Sequence, residues 1–145
     1  MALFLNSIAI NATTFPDNTT QVWKIESLRL SGNRIRWEFE SDAEVFLLCQ
    51  LLDLIASGGD KAAVIEAPFM PYGRQDKTVS NDSTFAINTL MKVLRSFEFD
   101  KLTTIDGHSQ VDGIESVTPC QFIYEAVALT KSDAVCFPDL SLIHI

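Results

Sequence analysis

The hydrophobic period of the chain changes near Ser41, and that change limits the folds open to it. Up to Glu40, apolar and polar residues alternate, which is the period of half-buried strands. Beyond Ser41 the apolar residues recur at helical spacing and then in short unbroken runs, as helices alternating with buried strands require. The first part is therefore predicted to be β structure. Leu3 to Leu5 and Ser7 to Thr13 can pair around Asn6-Ser7. Phe15-Pro16-Asp17-Asn18 reads as a turn, because Pro presets φ and Asp and Asn tolerate tight bends. Val22, Lys24, Glu26 and Leu28 alternate with Trp23, Ile25, Ser27 and Arg29, which predicts a strand over 21–30. A second is predicted over 34–40, with Ile35, Trp37 and Phe39 on one face.

The second part reads as α/β units. Ser41 or Asp42 can cap a helix with Val45, Leu48, Cys49, Leu52 and Ile55 as its buried stripe, and Gly58-Gly59 ends it. Residues 62–67 form an apolar run suited to a buried parallel strand. After a polar loop over 68–80, a second helix is expected from Asn81 or Asp82, with Ile87, Leu90, Met91, Leu94 and Phe97 inward. Residues 102–105 and 134–137 are further strand-like runs. Pro119 opens a third helix between them, with Phe122, Ile123, Ala126 and Leu129 inward. The expected fold is α/β: a mostly parallel sheet flanked by helices, behind an antiparallel β N-terminus. In such sheets ligands gather beyond the carboxyl ends of the strands. Three chemically rich segments fall there: 68–77, Asp106-Gly107-His108 with Ser109, and Pro138-Asp139.

Composition narrows the function. With 47% apolar residues in 145, the chain has the mass for a core, which excludes disorder. Nineteen acidic residues against 11 basic ones give a net charge of -8, which excludes a generic nucleic-acid binder. No run approaches the roughly 20 apolar residues of a membrane span. Cys49, Cys120 and Cys136 are too scattered for a disulfide framework or a paired metal site, so Cys49 and Cys136 read as buried hydrophobes. The apolar start Met1–Leu5 lacks the basic flank of a signal peptide, and a cytoplasmic location is expected.

The loop 68–77 holds Arg74 and Lys77 in a chain poor in cations. A guanidinium fork suits phosphate oxygens, and Gln75 can both donate and accept at a nucleobase or ribose. A solvated loop with an Arg–Asp pair fits the same residue types. Asp106 and His108 can ligate a divalent metal, with Asp139 as a second carboxylate; a His bonded to loop backbone and a turn-starting Asp are the alternative readings of the same residues.

These segments together resemble one family. The run Val64-Ile-Glu-Ala-Pro-Phe-Met-Pro-Tyr72-Gly-Arg74-Gln75-Asp76-Lys77 is similar to the nucleotide loop of ribose-phosphate pyrophosphokinases, with its P-Y-x-R-Q-D-[KR] pattern. Asp106-Gly107-His108 resembles that family's D-x-H strand end, Phe15-Pro16-Asp17 its first loop, and Phe137-Pro138-Asp139 a later strand end. The resemblance implies a phosphoribosyltransferase-like α/β fold. It implies Mg²⁺-dependent transfer of diphosphate from ATP to ribose 5-phosphate, giving phosphoribosyl pyrophosphate and AMP for nucleotide and NAD biosynthesis. ATP would be held by Arg74, Gln75 and Asp76, and by Phe15 and Asp17 across a subunit boundary in a homo-oligomer. The metal would be held by His108 and Asp139, with Asp106 a further candidate. Two positions depart from the family: Thr19 stands where the first loop usually has Glu, and Gly107 where Leu is usual. No acidic ribose-phosphate loop of the G-T type follows Asp139. Residues 1–117 are thus expected to be the ATP-side domain and 118–139 the start of a second domain. Residues 140–145 read as an unrelated or foreign tail. Catalytic residues are expected in the second half, so this chain alone should be inactive. A synthetase-like regulatory subunit and a plain nucleotide-binding module remain the other readings.

Overall fold

The computed structural model of the chain describes residues 2–130. The elements are β1 (Ala2–Leu5), β2 (Ile8–Ala9), β3 (Thr13–Thr14), β4 (Thr20–Gln21), β5 (Asn33–Glu38), α1 (Ala43–Ser57), β6 (Ala62–Glu66), α2 (Ala86–Leu94), β7 (Leu102–Ile105), β8 (Glu115–Val117) and α3 (Cys120–Thr130). A six-stranded sheet runs in the order β2-β1-β5-β6-β7-β8, and β3-β4 is a separate hairpin. The pairs from β5 to β8 are parallel, whereas β1 is antiparallel to both its neighbours. This is the expected α/β arrangement with its antiparallel start.

Local chemistry explains the sharp ends. Asn6 and Ser7 both take left-handed φ, 52° and 71°, the backbone of the two-residue turn that matches strand twist. Helix α1 closes with Gly59 at φ 81°, its N–H bonded to the Ala56 carbonyl at 2.9 Å and that of Asp60 to Ile55 at 3.3 Å. Each of α1 and α2 joins neighbouring parallel strands in one direction of travel. Right-handed crossovers therefore set both on one face of the sheet. That face buries Leu3, Leu5, Ile35, Trp37, Ile65 and Leu102 against Leu48, Leu51, Leu52, Ile55, Leu90, Met91 and Leu94. The opposite face carries Arg34, Arg36, Glu66, Lys101 and Glu115, linked as Arg34–Glu66 and Lys101–Glu115 pairs across neighbouring strands. Glu44 is buried in the first turn of α1, where its carboxylate accepts from Trp37 Nε1 at 3.2 Å and from the Glu40 N–H at 3.0 Å. It fastens the corner between β5 and α1. No helix among the described residues is long and apolar enough to cross a membrane.

Several expectations are corrected. The strand expected over 21–30 reduces to Thr20–Gln21 in β4, and the rest is irregular. Lys24 has φ 53°, which breaks an extended run, and Val22, Ile25 and Leu28 turn inward at every third residue, not every second. Side-chain amides replace the missing ladder. Gln50 Oε1 accepts from the Val22 N–H at 2.9 Å. Asn6 Nδ2 donates to the Ser27 carbonyl at 2.7 Å. Buried Asn33 accepts from the Arg29 N–H and donates to both the Arg29 carbonyl and Asp60. The buried stripe of α1 is also wider than expected: Glu44, Leu47 and Leu51 join it, while Val45 is half-buried. Helix α2 starts at Ala86 because Ser83 Oγ accepts the Val79 and Ser80 N–H groups in a turn of its own. Strand β8 was not expected; its three residues are all exposed, so they show no burial period. The face of α3 expected inward is instead exposed, with Phe122 at 53% and Leu129 at 84%. The strand-like run 134–137, and Cys136 within it, lie outside the described residues.

Asn33 links three loops, and its loss strands buried backbone groups. Asn33→Ala is expected to cost about 2–4 kcal/mol in urea unfolding. The Asn33 amide, followed by the Lys61 N–H, also holds the Asp60 carboxyl below its usual 3.8. A depressed carboxyl adds stability that is present above that value and lost as pH falls through the lower folded value. The acid limb of stability below pH 3.8 should therefore be shallower in Asn33→Ala.

Candidate functional site

Parallel pairing brings the carboxyl ends of β5, β6 and β7 to one edge. The pairing of β6 and β7 runs past the strands, since the Ala67 N–H bonds Thr103 at 2.8 Å and the Ile105 N–H bonds Pro68 at 3.2 Å. The loops that follow therefore leave the sheet side by side. Between them lies a cleft of about 730 Å³, lined by Phe69, Met70, Tyr72, Gly73, Arg74 and Gln75 on one side and by residues 104–108 on the other.

Each wall is shaped by unusual backbone. Tyr72 adopts φ 60°, which costs a bulky residue about 1–2 kcal/mol. The Gly73 N–H bonds the Met70 carbonyl at 3.2 Å and the Gln75 N–H bonds the Tyr72 carbonyl at 2.8 Å, so the loop folds into two successive turns. On the facing wall Asp106 has φ 51°, and its N–H bonds Val117 at 3.0 Å. The Gly107 N–H donates to Ser116 Oγ at 2.8 Å. A Cβ on Gly107 would lie 3.2 Å from that oxygen and 3.3 Å from Thr104 Cγ2, so this tight crossing favours glycine where the related pattern has Leu.

The cleft offers a cation, an amide, a carboxylate and an imidazole. Arg74 is exposed and, among the described residues, forms no ion pair, so the Arg–Asp pair weighed from sequence is not formed. The cation is free to meet an anion. Tyr72 donates its hydroxyl to Asp42 Oδ1 at the N-terminus of α1. That bond, then burial and the carboxylate charge, push the phenol from 10.0 up to about 12. Thr104 is buried on the wall of the cleft, and its Oγ1 has no hydrogen-bond partner among the described residues.

The fold thus unites Arg74, Gln75, Asp106 and His108, which the sequence placed in two separate clusters. It does not bring in Asp76, Phe15 or Asp17. Asp76 lies just beyond the lining, and Phe15 and Asp17 form the β3–β4 turn. There Asp17 Oδ1 accepts from the Thr19 N–H at 3.0 Å and from Thr19 Oγ1 at 2.7 Å, and the hydroxyl bond above all holds the carboxyl below its usual value. Thr19, the departure from the related pattern, thereby locks the turn. Asp139 lies outside the described residues. Among those described no group of three or more His, Cys, Asp or Glu gathers as a metal site. Of Asp106 and His108, the carboxylate would suit Mg²⁺ held mainly by phosphate oxygens, because that hard ion commonly takes one or two carboxylates plus phosphates, whereas the imidazole is a softer ligand. Sequence reasoning overlooked three lining residues: Phe69, an exposed ring at the rim; Tyr72 as a structural tie; and Thr104. The pattern Pro71-Tyr72 was on view, but only packing reveals its partner.

Fold and cleft together define an α/β domain with a cleft at the carboxyl ends of its parallel strands. The solved structure of phosphoribosylpyrophosphate synthetase from Mycobacterium smegmatis is similar to it, with a TM-score of 0.65 and 19% identity over 83% of this chain. The likeness is one of fold, and this chain spans 43% of that protein's length. No family model matches the sequence.

Thr104→Val keeps the shape and removes an unpartnered hydroxyl. Thermal unfolding should show no loss, and a gain of up to about 1 kcal/mol. In the wild type, ultraviolet titration of the phenols should show one group ionising at about 12, and Asp42→Asn should bring it down.

Proposed function

We propose that this chain forms the ATP side of a ribose-phosphate diphosphokinase. The observation that carries this reading is the single cleft at the strand ends that gathers Arg74, Gln75, Asp106 and His108. The fold likeness to a phosphoribosylpyrophosphate synthetase supports it. Arg74 binds the polyphosphate, as its planar fork matches phosphate oxygens, and Gln75 binds the nucleoside. Asp76, next in the same loop, completes this ATP-binding set. In the whole reaction the 1-hydroxyl of ribose 5-phosphate attacks the β-phosphorus of ATP. The bond from that phosphorus to the α,β-bridging oxygen breaks, AMP leaves, and the hydroxyl proton is released. Asp106, His108 and Asp139 would be the protein ligands of a Mg²⁺ ion, which would supply neutralisation of charge on the phosphates.

An acidic chain of net charge -8 repels two polyanionic reactants, so local cations at the cleft are a physical requirement. Phe15 and Asp17 lie away from this cleft and complete the adenine site of a neighbouring copy, which makes the working form a homo-oligomer. The transfer chemistry itself needs a ribose-phosphate site supplied by a second domain. On this reading the chain acts in the cytoplasm.

Arg74→Ala is expected to weaken Mg²⁺·ATP binding by about 1.5–3 kcal/mol, roughly ten- to hundredfold in Kd by titration calorimetry. Unchanged affinity would sink the assignment of the loop. The 145-residue chain alone should release no AMP from ATP and ribose 5-phosphate in a coupled assay. Stoichiometric Mg²⁺-dependent release would overturn its description as the ATP side only.

A further inference from the structure

Tyr72 is the most strained bulky residue beside the cleft, and its side chain leaves the cleft for another element. Its hydroxyl reaches Asp42, the residue that begins α1, while its ring lies 6.1 Å from that of Phe39 at a tilt of 58°. Phe39 in turn meets the fully buried Trp37 edge-on at 5.6 Å. Trp37 Nε1 and the Glu40 N–H are both held by buried Glu44. A continuous series of contacts therefore runs from the core, through the corner between β5 and α1, to the loop that carries Arg74 and Gln75. Two turns beside Tyr72, Met70–Gly73 and Tyr72–Gln75, set where those two side chains emerge. A left-handed tyrosine persists only where its surroundings over-determine it, and such residues concentrate at functional sites.

We propose that the Tyr72–Asp42 hydrogen bond is a clasp that positions the Arg74–Gln75 edge of the cleft by tying its loop to the first turn of α1. Tyr72 is a positioning residue: it acts through Arg74 and Gln75 and needs no contact with the phosphates. The proposal rests on the nucleotide reading of the cleft for its ligand, but the tie itself does not. The half-buried ring and the raised phenol ionisation both accord with a bond maintained in the folded protein. The bond is charge-assisted, and it adds a tie to a loop that is also held by Met70 in the core and by the Gln75 carbonyl, which accepts from the Ile87 N–H at 3.4 Å.

The test uses the full chain as wild type, Tyr72→Phe, Asp42→Asn, the double variant and Arg74→Ala. Tyr72→Phe retains the ring against Phe39, so the fold is kept. Amide hydrogen exchange should quicken at Gly73 and Gln75 in both single variants, with α1 beyond its first turn and β6 unchanged. Calorimetry with Mg²⁺·ATP should show Kd raised about three- to tenfold in each single variant, and no further in the double, because both remove one bond. A merely structural role would lower the unfolding temperature without moving Gly73 and Gln75 selectively. Unchanged exchange at those two amides overturns the clasp, whether or not nucleotide binds. If the amides respond but neither wild type nor Arg74→Ala binds Mg²⁺·ATP, the clasp stands and the nucleotide reading falls. If binding is lost in Arg74→Ala but kept in full by Tyr72→Phe, the clasp has no part in the site.

Discussion

Parallel pairing of β5 with β6 and of β6 with β7 is the constraint on which the rest of the molecule depends. It points three successive carboxyl ends at one edge, and with them Phe39 and Asp42, the loop 68–77, and Asp106 to His108. The pairs that extend past β6, through Ala67 and Pro68, keep the last two of these segments together after the strands end. Without that extension Arg74 and His108 would be neighbours in no useful sense. The same pairing forces the crossovers onto one face, so one side of the sheet becomes core and the other a charged surface.

The energetic weight is distributed unevenly. Regular elements need little help: β5 alternates buried and exposed residues, and α1 ends on a glycine with its carbonyls bonded. The irregular stretch between β4 and β5 depends on three amide side chains, Asn6, Asn33 and Gln50, which answer backbone groups that a ladder would have answered. The cleft is the third regime. There two left-handed residues, Tyr72 and Asp106, shape opposite walls, and a buried hydroxyl on Thr104 stays unpartnered among the described residues. Strain and incomplete bonding converge where the cation and the imidazole sit.

Legibility in the sequence follows the same division. The Asn6-Ser7 hairpin, β5, α1, β6 and β7 were readable because their signals lie within a few residues: a two-residue period, a helical stripe, a closing glycine pair. The β character of 22–30 was misread because inward turns at Val22, Ile25 and Leu28 mimic alternation over a short window. Strand β8 was invisible because Glu115, Ser116 and Val117 are all exposed and so carry no burial period. At the site, Arg74, Gln75, Asp106 and His108 were visible as residue types of unusual chemistry, and their place at strand ends followed from the α/β alternation. Their convergence in one cleft was not.

By itself, then, the amino-acid sequence determined most of the helices and the core strands, where most of them stop, and which side chains carry the chemistry. Backbone preference and periodic burial act over a handful of residues, so they are written locally. Tertiary structure alone decided that Phe15 and Asp17 stand apart from the cleft, that Asn33 binds three loops, and that Tyr72 answers to Asp42. Those outcomes depend on contacts between residues far apart in the chain, and such contacts exist only once the sheet has set the distances between its loops.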